Sequence, residues 1–346
     1  MTARRPVSAQ GDLQLLGARV TIPEELLRRL SLADTRVCAF LGGSLIEGMG
    51  NRFSDLDIYS VGEALPRLAD FKEADIHRLL TFDRRIVRPG DDPATEVFLA
   101  HYSHGNTRMK VDVEFQTIDN VLALAERLQE LHAYASANLV LLTRRLADRE
   151  EDFVTRVLNG RPLMAPDVFA EMQARFDRKK FLYLAYRLRA SDFAHLLDLI
   201  GAWSEREIER AQDLARENMI TQMQAYLHLK GMVNPRRKWL LRFIDRLLVD
   251  EPELADRFRT LFFFDAKHDA EQFLYATLDL VDELFARSQL LLIENGSAPT
   301  GAAALALLSS DRDRSDSPYA DLEFEYRAKV YGQPGRPTRA FLEEGF

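Results

Sequence analysis

A change of hydrophobic period near residue 118 restricts the fold more than any other feature of this sequence. Before it, apolar residues alternate with polar ones in short runs. After it, they recur every three or four positions. Alternation marks a half-buried strand, and spacing of three and four marks one face of a helix. A chain that runs through strands and then helices falls in the α+β class. At 346 residues it is long enough for two ordinary domains. The expectation is a small mixed β-sheet domain over 1–118, a larger α-helical domain over 119–294, and a linker with a C-terminal tail over 295–346.

The strand region can be read in more detail. An apolar run over 36–41 ends at Gly42-Gly43-Ser44, the pattern of a buried strand entering a turn. The stretch 56–61 alternates and stops at Gly62. A third strand is expected over 96–102 and a fourth over 109–115. In the fourth, Met109, Val111, Val113 and Phe115 face one way while Lys110, Asp112 and Glu114 face the other. A helix is expected over 22–32, with Thr21 as its cap and Pro23 in its first turn. Charge, Pro and Gly make 83–93 a loop. Beyond 118, helices are expected over 119–146, 167–189, 204–229, 236–248, 253–264 and 270–292. Ser204 and Glu207 read as a capping box. The stretch 231–235 is a break, 295–318 reads as a linker, and one further helix follows from Ala320.

Composition excludes several classes. Hydrophobic residues make up 47% and charged residues 29%, the balance of a chain with a sizeable core. The net charge of -8 argues against a general nucleic-acid binder, which needs clustered Lys and Arg. The one cysteine, Cys38, lies in an apolar run and reads as a core residue. Seven histidines, His101 and His104 among them, have no metal-ligand spacing and read as incidental. The N-terminal arm over 1–12 is polar, and no apolar run reaches the roughly 18 residues of a membrane span. The expected location is the cytoplasm.

Acidic residues carry the chemistry. Ser54-Asp55-Leu56-Asp57 opens the second strand, so Asp55 and Asp57 face one side. Carboxylates held together repel unless a cation lies between them. A third carboxylate from the strand over 109–115, Asp112 or Glu114, completes an oxygen-rich site of the kind that binds Mg²⁺ together with substrate phosphates. Two such ions can hold the attacking and leaving oxygens of a displacement at phosphorus. Gly42 and Gly43 let the backbone approach a phosphate, and Ser44 adds a hydroxyl.

Gly43-Ser44-x-x-x-Gly48, then Ser54-Asp55-x-Asp57, then a distant Asp112 on a strand resembles the DNA polymerase β-like nucleotidyltransferase superfamily, and within it the minimal and antibiotic nucleotidyltransferases. The match covers 36–116. The resemblance implies a nucleotidyltransferase domain in front of the helical domain, with the active site in the cleft. It implies two Mg²⁺ ions, or Mn²⁺, on Asp55, Asp57 and a third carboxylate, Asp112 with Glu114 as rival. It further implies an NTP, ATP by preference, on Gly42, Gly43, Ser44 and Ser54. The implied reaction moves a nucleoside monophosphate to a hydroxyl and releases pyrophosphate. A small-molecule acceptor is the first expectation, since the chain is acidic. A partner protein modified with AMP, or a silent nucleotide-binding module, is the alternative. The sequence departs from the family at Leu45-Ile46-Glu47, which lacks a basic residue. Lys238, in a basic stretch after Pro235, is the candidate for the missing phosphate-binding cation.

Overall fold

Alternation of apolar and polar residues organises the sheet that carries the acidic residues. The computed structural model describes residues 12–15, 20–71, 76–104, 109–190, 192–234, 236–264, 269–296, 301–331 and 335–343. The strands are β1 (Asp12–Leu15), β2 (Val20–Pro23), β3 (Cys38–Gly42), β4 (Leu56–Gly62), β5 (Ile76–Leu80), β6 (Ile86–Val87), β7 (Leu99–His104), β8 (Met109–Thr117) and β9 (Arg161–Met164). β1 and β2 form a separate antiparallel pair. The other seven form one mixed sheet in the order β6-β5-β7-β8-β4-β3-β9, in which β4 and β8 run parallel. The fold is α+β, as the change of period requires.

The described chain divides into two compact units. The first takes the residues up to Arg127 and then 146–176. The second takes 128–145 and everything from Asp177 onward. The helices of the first unit are α1 (Glu24–Leu30), α2 (Gly43–Ile46), the beginning of α3 (Ile118–Ala137), α4 (Asp148–Asn159) and α5 (Pro166–Arg175). On one face of its sheet, Leu56, Ile58, Val111, Val113 and Phe115 form a core with Ile22 and Leu27. On the other face Phe40 stacks on Tyr59 at 5.1 Å between ring centres, and Phe153 of α4 meets Tyr59 edge-on at 5.7 Å. Cys38 is fully buried, as expected of a core residue.

The second unit continues with α6 (Arg178–Arg187), α7 (Phe193–Ser204), α8 (Ile208–Leu229), α9 (Leu240–Leu247), α10 (Pro252–Phe262), α11 (Ala270–Asn295), α12 (Gly301–Asp313), α13 (Ala320–Ala328) and α14 (Ala340–Glu343). α8 is its centre and packs on α6, α7 and α11. No helix among the described residues is long and apolar enough to cross a membrane.

Several expected elements are corrected, each for a local reason. Thr21 does not cap a helix, because it pairs with Gln14 in β2; Pro23 takes the cap position with no side-chain bond. The helix expected over 119–146 stops at Ala137, where the Arg187 guanidinium donates to the carbonyls of Ala135, Asn138 and Leu139. The helix over 167–189 is broken because Asp177 caps a new one, accepting from the Lys179 and Lys180 amides. Ser204 is not half of a capping box. It ends α7, its hydroxyl donating to the Ile200 carbonyl. The linker over 295–318 contains α12. The loop over 83–93 contains the short β6, and the structure adds α4, α7, β5 and β9 to the expected elements. Residues 1–11 of the N-terminal arm and Pro235 of the expected break lie outside the described residues.

Candidate metal centre and active site

Strand register creates the site. Gly42 of β3 pairs with Asp57 of β4, Asp57 with Asp112 of β8, and Asp112 with His101 of β7. These four residues form one row across four neighbouring strands. The next row on the same face is Phe40, Tyr59, Glu114 and Leu99. The two rows separate the roles of the acidic residues. Asp55, Asp57 and Asp112 offer carboxylate oxygens that all lie within 4.8 Å of one another. Glu114 is outside that group, beside the aromatic pair Tyr59 and Phe40.

Among the three, Asp55 is exposed at the strand entrance while Asp57 and Asp112 are half-buried. The Asp57 carboxyl is pushed up to about 7. Burial is the main cause; Arg156 opposes it, and Asp55, Asp112 and Glu114 add to it. Burial disfavours the charged carboxylate, and the neighbouring acidic groups add to that penalty. Three oxygen donors at this spacing fit a hard divalent cation such as Mg²⁺. The Glu114 carboxyl is also held above the usual carboxylate range by burial, against an amide donated by Gln116 at 2.7 Å.

The Gly42-Gly43-Ser44 turn is built tightly against this cluster. Gly43 has φ +84°, and a Cβ placed there would collide with Asp57 Oδ2. Gly42 is tight as well, since a Cβ there would lie 3.1 Å from the Tyr59 ring and 3.2 Å from the Arg156 side chain. α2 is a single turn of four residues, so it offers backbone N–H groups but little helix dipole. Gly42, not Ser44, is in its cap position. Among the described residues the Ser44 hydroxyl has no hydrogen-bond partner. The loop into β4 is held by Asn51 and Ser54: Ser54 Oγ accepts from the Asn51 amide at 3.0 Å, and Asn51 Oδ1 accepts from the Phe53 amide at 2.9 Å.

Two neighbours of the cluster escaped the sequence. Arg156, near the end of α4, reaches Asp57 Oδ2 at 3.8 Å and donates to Glu47 Oε1 at 3.1 Å. Burial works against its charge, but Tyr59, Asp57 and Glu47 outweigh it and hold the guanidinium protonated. Glu47 thus stands where a basic residue was sought and holds a basic residue from elsewhere. Lys238 lies in the second unit, exposed, with Nζ 5.1 Å from the Trp239 ring. His101, read as incidental, places Nδ1 2.6 Å from Asp112 Oδ1. The signal for Arg156 was a lone arginine inside the apolar run of 153–158; for His101 it was alternation along its strand.

No family model matches the chain, and no curated protein matches it. Among solved structures, it is similar to a nucleotidyltransferase-like protein from Exiguobacterium sibiricum. Identity is 12%, with 85% of this chain and 79% of the other covered, at a TM-score of 0.40.

Proposed function

We propose that this protein is a metal-dependent nucleotidyltransferase. It moves a nucleoside monophosphate from an NTP, with ATP as the preferred donor, to a hydroxyl of a small molecule. The observation that carries this reading is the convergence of Asp55, Asp57 and Asp112 oxygens within 4.8 Å, directly against the Gly43-Ser44 turn.

In this reading Asp55 and Asp57 would hold two Mg²⁺ ions, or Mn²⁺, with Asp112 as the third ligand. When bound, the ions supply positive charge to the phosphate oxygens and to the attacking and leaving oxygens. The chain's own residues do the rest. The Gly43 and Ser44 amides and the free Ser44 hydroxyl donate to phosphate oxygens. Arg156 adds fixed positive charge beside Asp57, held in place by Glu47. Asp112 takes the proton of the acceptor hydroxyl as the acceptor oxygen bonds to the α-phosphorus. The bond from that phosphorus to the bridging oxygen breaks, and pyrophosphate leaves with the electron pair. His101 fixes one Asp112 oxygen, so the carboxylate cannot swing away. Alignment and electrostatics are the catalytic agents.

Incubation with α-³²P-labelled NTPs, Mg²⁺ and a panel of hydroxylated metabolites tests the proposal. Label on a small molecule with release of pyrophosphate, lost in Asp57→Ala, is the expected result. Label on a polypeptide would replace the acceptor with a protein. Nucleotide binding without transfer, unchanged in Asp57→Ala, would sink the enzyme reading.

A further inference from the structure

A cleft of about 960 Å³ lies in the first unit, at the end of β3 and β4 that is remote from the acidic cluster. Its size is within the range of ~300–1,000 Å³ common for small-molecule sites. Residues of α1, the segment 32–36 that leads into β3, and the segments 63–65 and 69–70 beyond β4 line it. β3 and β4 are antiparallel, pairing Gly42 with Asp57 at the cluster and Cys38 with Val61 toward the cleft. Asp57 and Gly62 are five residues apart on β4, about 17 Å along a strand. A ligand in the cleft is therefore clear of the cluster and of the Gly43-Ser44 turn.

Arg36 dominates the chemistry of this cleft, and its side chain is fixed from three directions. It crosses Gly62, where a Cβ would fall 2.6 Å from Nη1. The guanidinium lies 5.5 Å from the centre of the Phe115 ring. Nη1 donates to the Ala64 carbonyl at 2.5 Å. Among the described residues, the buried Nε has no hydrogen-bond partner and the guanidinium is in no ion pair. Burial pulls Arg36 below its usual range, and the charge of Asp70 offsets this only in part. Asp70 is held in turn, its Oδ2 accepting from the Arg67 amide at 2.8 Å. The cleft thus contains a guanidinium and a carboxylate that act on each other without closing into a pair, each with hydrogen-bonding capacity left.

The rest of the lining narrows the ligand further. Three arginines and five carboxylates line the cleft, an excess of negative charge. Arg28 and Asp34 pair with each other at 3.5 Å. Glu24, Glu25 and Glu63 are in no ion pair among the described residues. Leu32 and Leu65, both half-buried, add apolar surface.

We infer that this cleft binds a free α-amino acid with a cationic side chain, such as lysine. The ligand carboxylate meets Arg36 and its α-ammonium meets Asp70, so one carbon bridges two opposite charges that do not reach each other. The methylenes lie on Leu32 and Leu65, and the side-chain ammonium faces the remaining carboxylates. The inference is independent of the nucleotidyltransferase reading.

Calorimetry without nucleotide or metal tests it with four probes. Lysine has every group, cadaverine lacks the carboxylate, norleucine lacks the side-chain ammonium, and Nα-acetyl-lysine lacks the α-ammonium. Lysine should bind saturably and each of the others at least ~10-fold more weakly, the scale of one charge-assisted hydrogen bond. Arg36→Met keeps an apolar stem beside Phe115 and should bring lysine down to the level of cadaverine. Asp70→Asn should bring it down to the level of Nα-acetyl-lysine. Ala69→Trp, at an exposed position on the cleft, removes no charge and should block lysine while thermal unfolding stays that of the parent. Cadaverine binding as tightly as lysine would make the cleft a general cation surface and overturn the inference. Nα-acetyl-lysine binding as tightly would assign the cleft to a peptide C-terminus and overturn it as well. No saturable lysine binding, or binding unchanged in both Arg36→Met and Ala69→Trp, would remove the site.

Discussion

Gly43 and Asp57 touch so closely that no side chain can come between them: a Cβ on Gly43 would overlap Asp57 Oδ2. The φ of +84° at Gly43 adds a second restriction, because L side chains rarely adopt it. Gly43→Ala is expected to cost about 1–3 kcal/mol of stability through backbone strain. It should also displace the Asp57 carboxylate. Thermal unfolding should fall by several degrees, and the Mg²⁺ concentration for half-maximal transfer should rise by about tenfold or more, the scale of ~1.4 kcal/mol. Parent-like metal dependence in a folded Gly43→Ala protein would show that the turn does not shape the acidic cluster.

Arg156 joins Glu47 to Asp57, which ties α4 to the turn after β3. Removing one member of a buried pair leaves a charge unpaired and costs about 3–5 kcal/mol, whereas replacing both members with apolar residues is often neutral. Arg156→Met should therefore be strongly destabilised, and Arg156→Met with Glu47→Met should recover most of that loss. Transfer should not recover. KM for the NTP is expected to stay about tenfold or more above the parent in the double variant, since the fixed positive charge is gone. Recovery of both stability and KM would make Arg156 a structural residue only.

Asp57 gives a pH signature. Its folded-state value of about 7 lies above the ordinary 3.8. Between these values the folded protein binds a proton that the unfolded chain releases, so this group makes stability fall as pH rises through roughly 4 to 7. Its contribution is complete below the unfolded value and gone above the folded one. Denaturant titrations of metal-free protein should show that slope, and Asp57→Asn should flatten it. Mg²⁺ favours the ionised form, so it should restore stability most above pH 7 and release a proton on binding below it. A metal-free stability curve that rises from pH 4 to 7 in the parent, but not in the variant, would contradict the assignment.

The parts of the site legible in the sequence are those written in local spacing. Asp55 and Asp57 share a strand face because they are two apart, and Gly43-Ser44 marks a strand end by composition. The third carboxylate was not local. Asp112 and Glu114 have the same alternation, and only the pairing of Asp57 with Asp112 separates them. Register depends on which strands meet, and a period of two cannot supply it. Arg156 was hidden for a related reason. Its helix, α4, follows a non-helical stretch that begins where Arg187 draws off the carbonyls at the end of α3. Periodicity alone carried α3 straight on to 146. The α+β class is legible all the same, because it needs only the order of periods along the chain.

His101 supplies the last prediction. Its Nδ1 lies 2.6 Å from Asp112 Oδ1, and the two residues are direct partners across β7 and β8. A ring in that position orients the carboxylate and leaves the other oxygen for the cluster. Outer partners of this kind are worth about 10–100-fold in metal affinity or activity. His101→Leu should weaken Mg²⁺ dependence by that factor and leave the KM for the NTP near the parent, because the phosphate turn follows β3, three strands away from β7. His101→Gln keeps a hydrogen-bond donor on the side chain and should recover much of the loss. The pair of variants separates orientation from packing. If Leu and Gln behave alike in Mg²⁺ titrations, the ring fills space and Asp112 is oriented by its own strand.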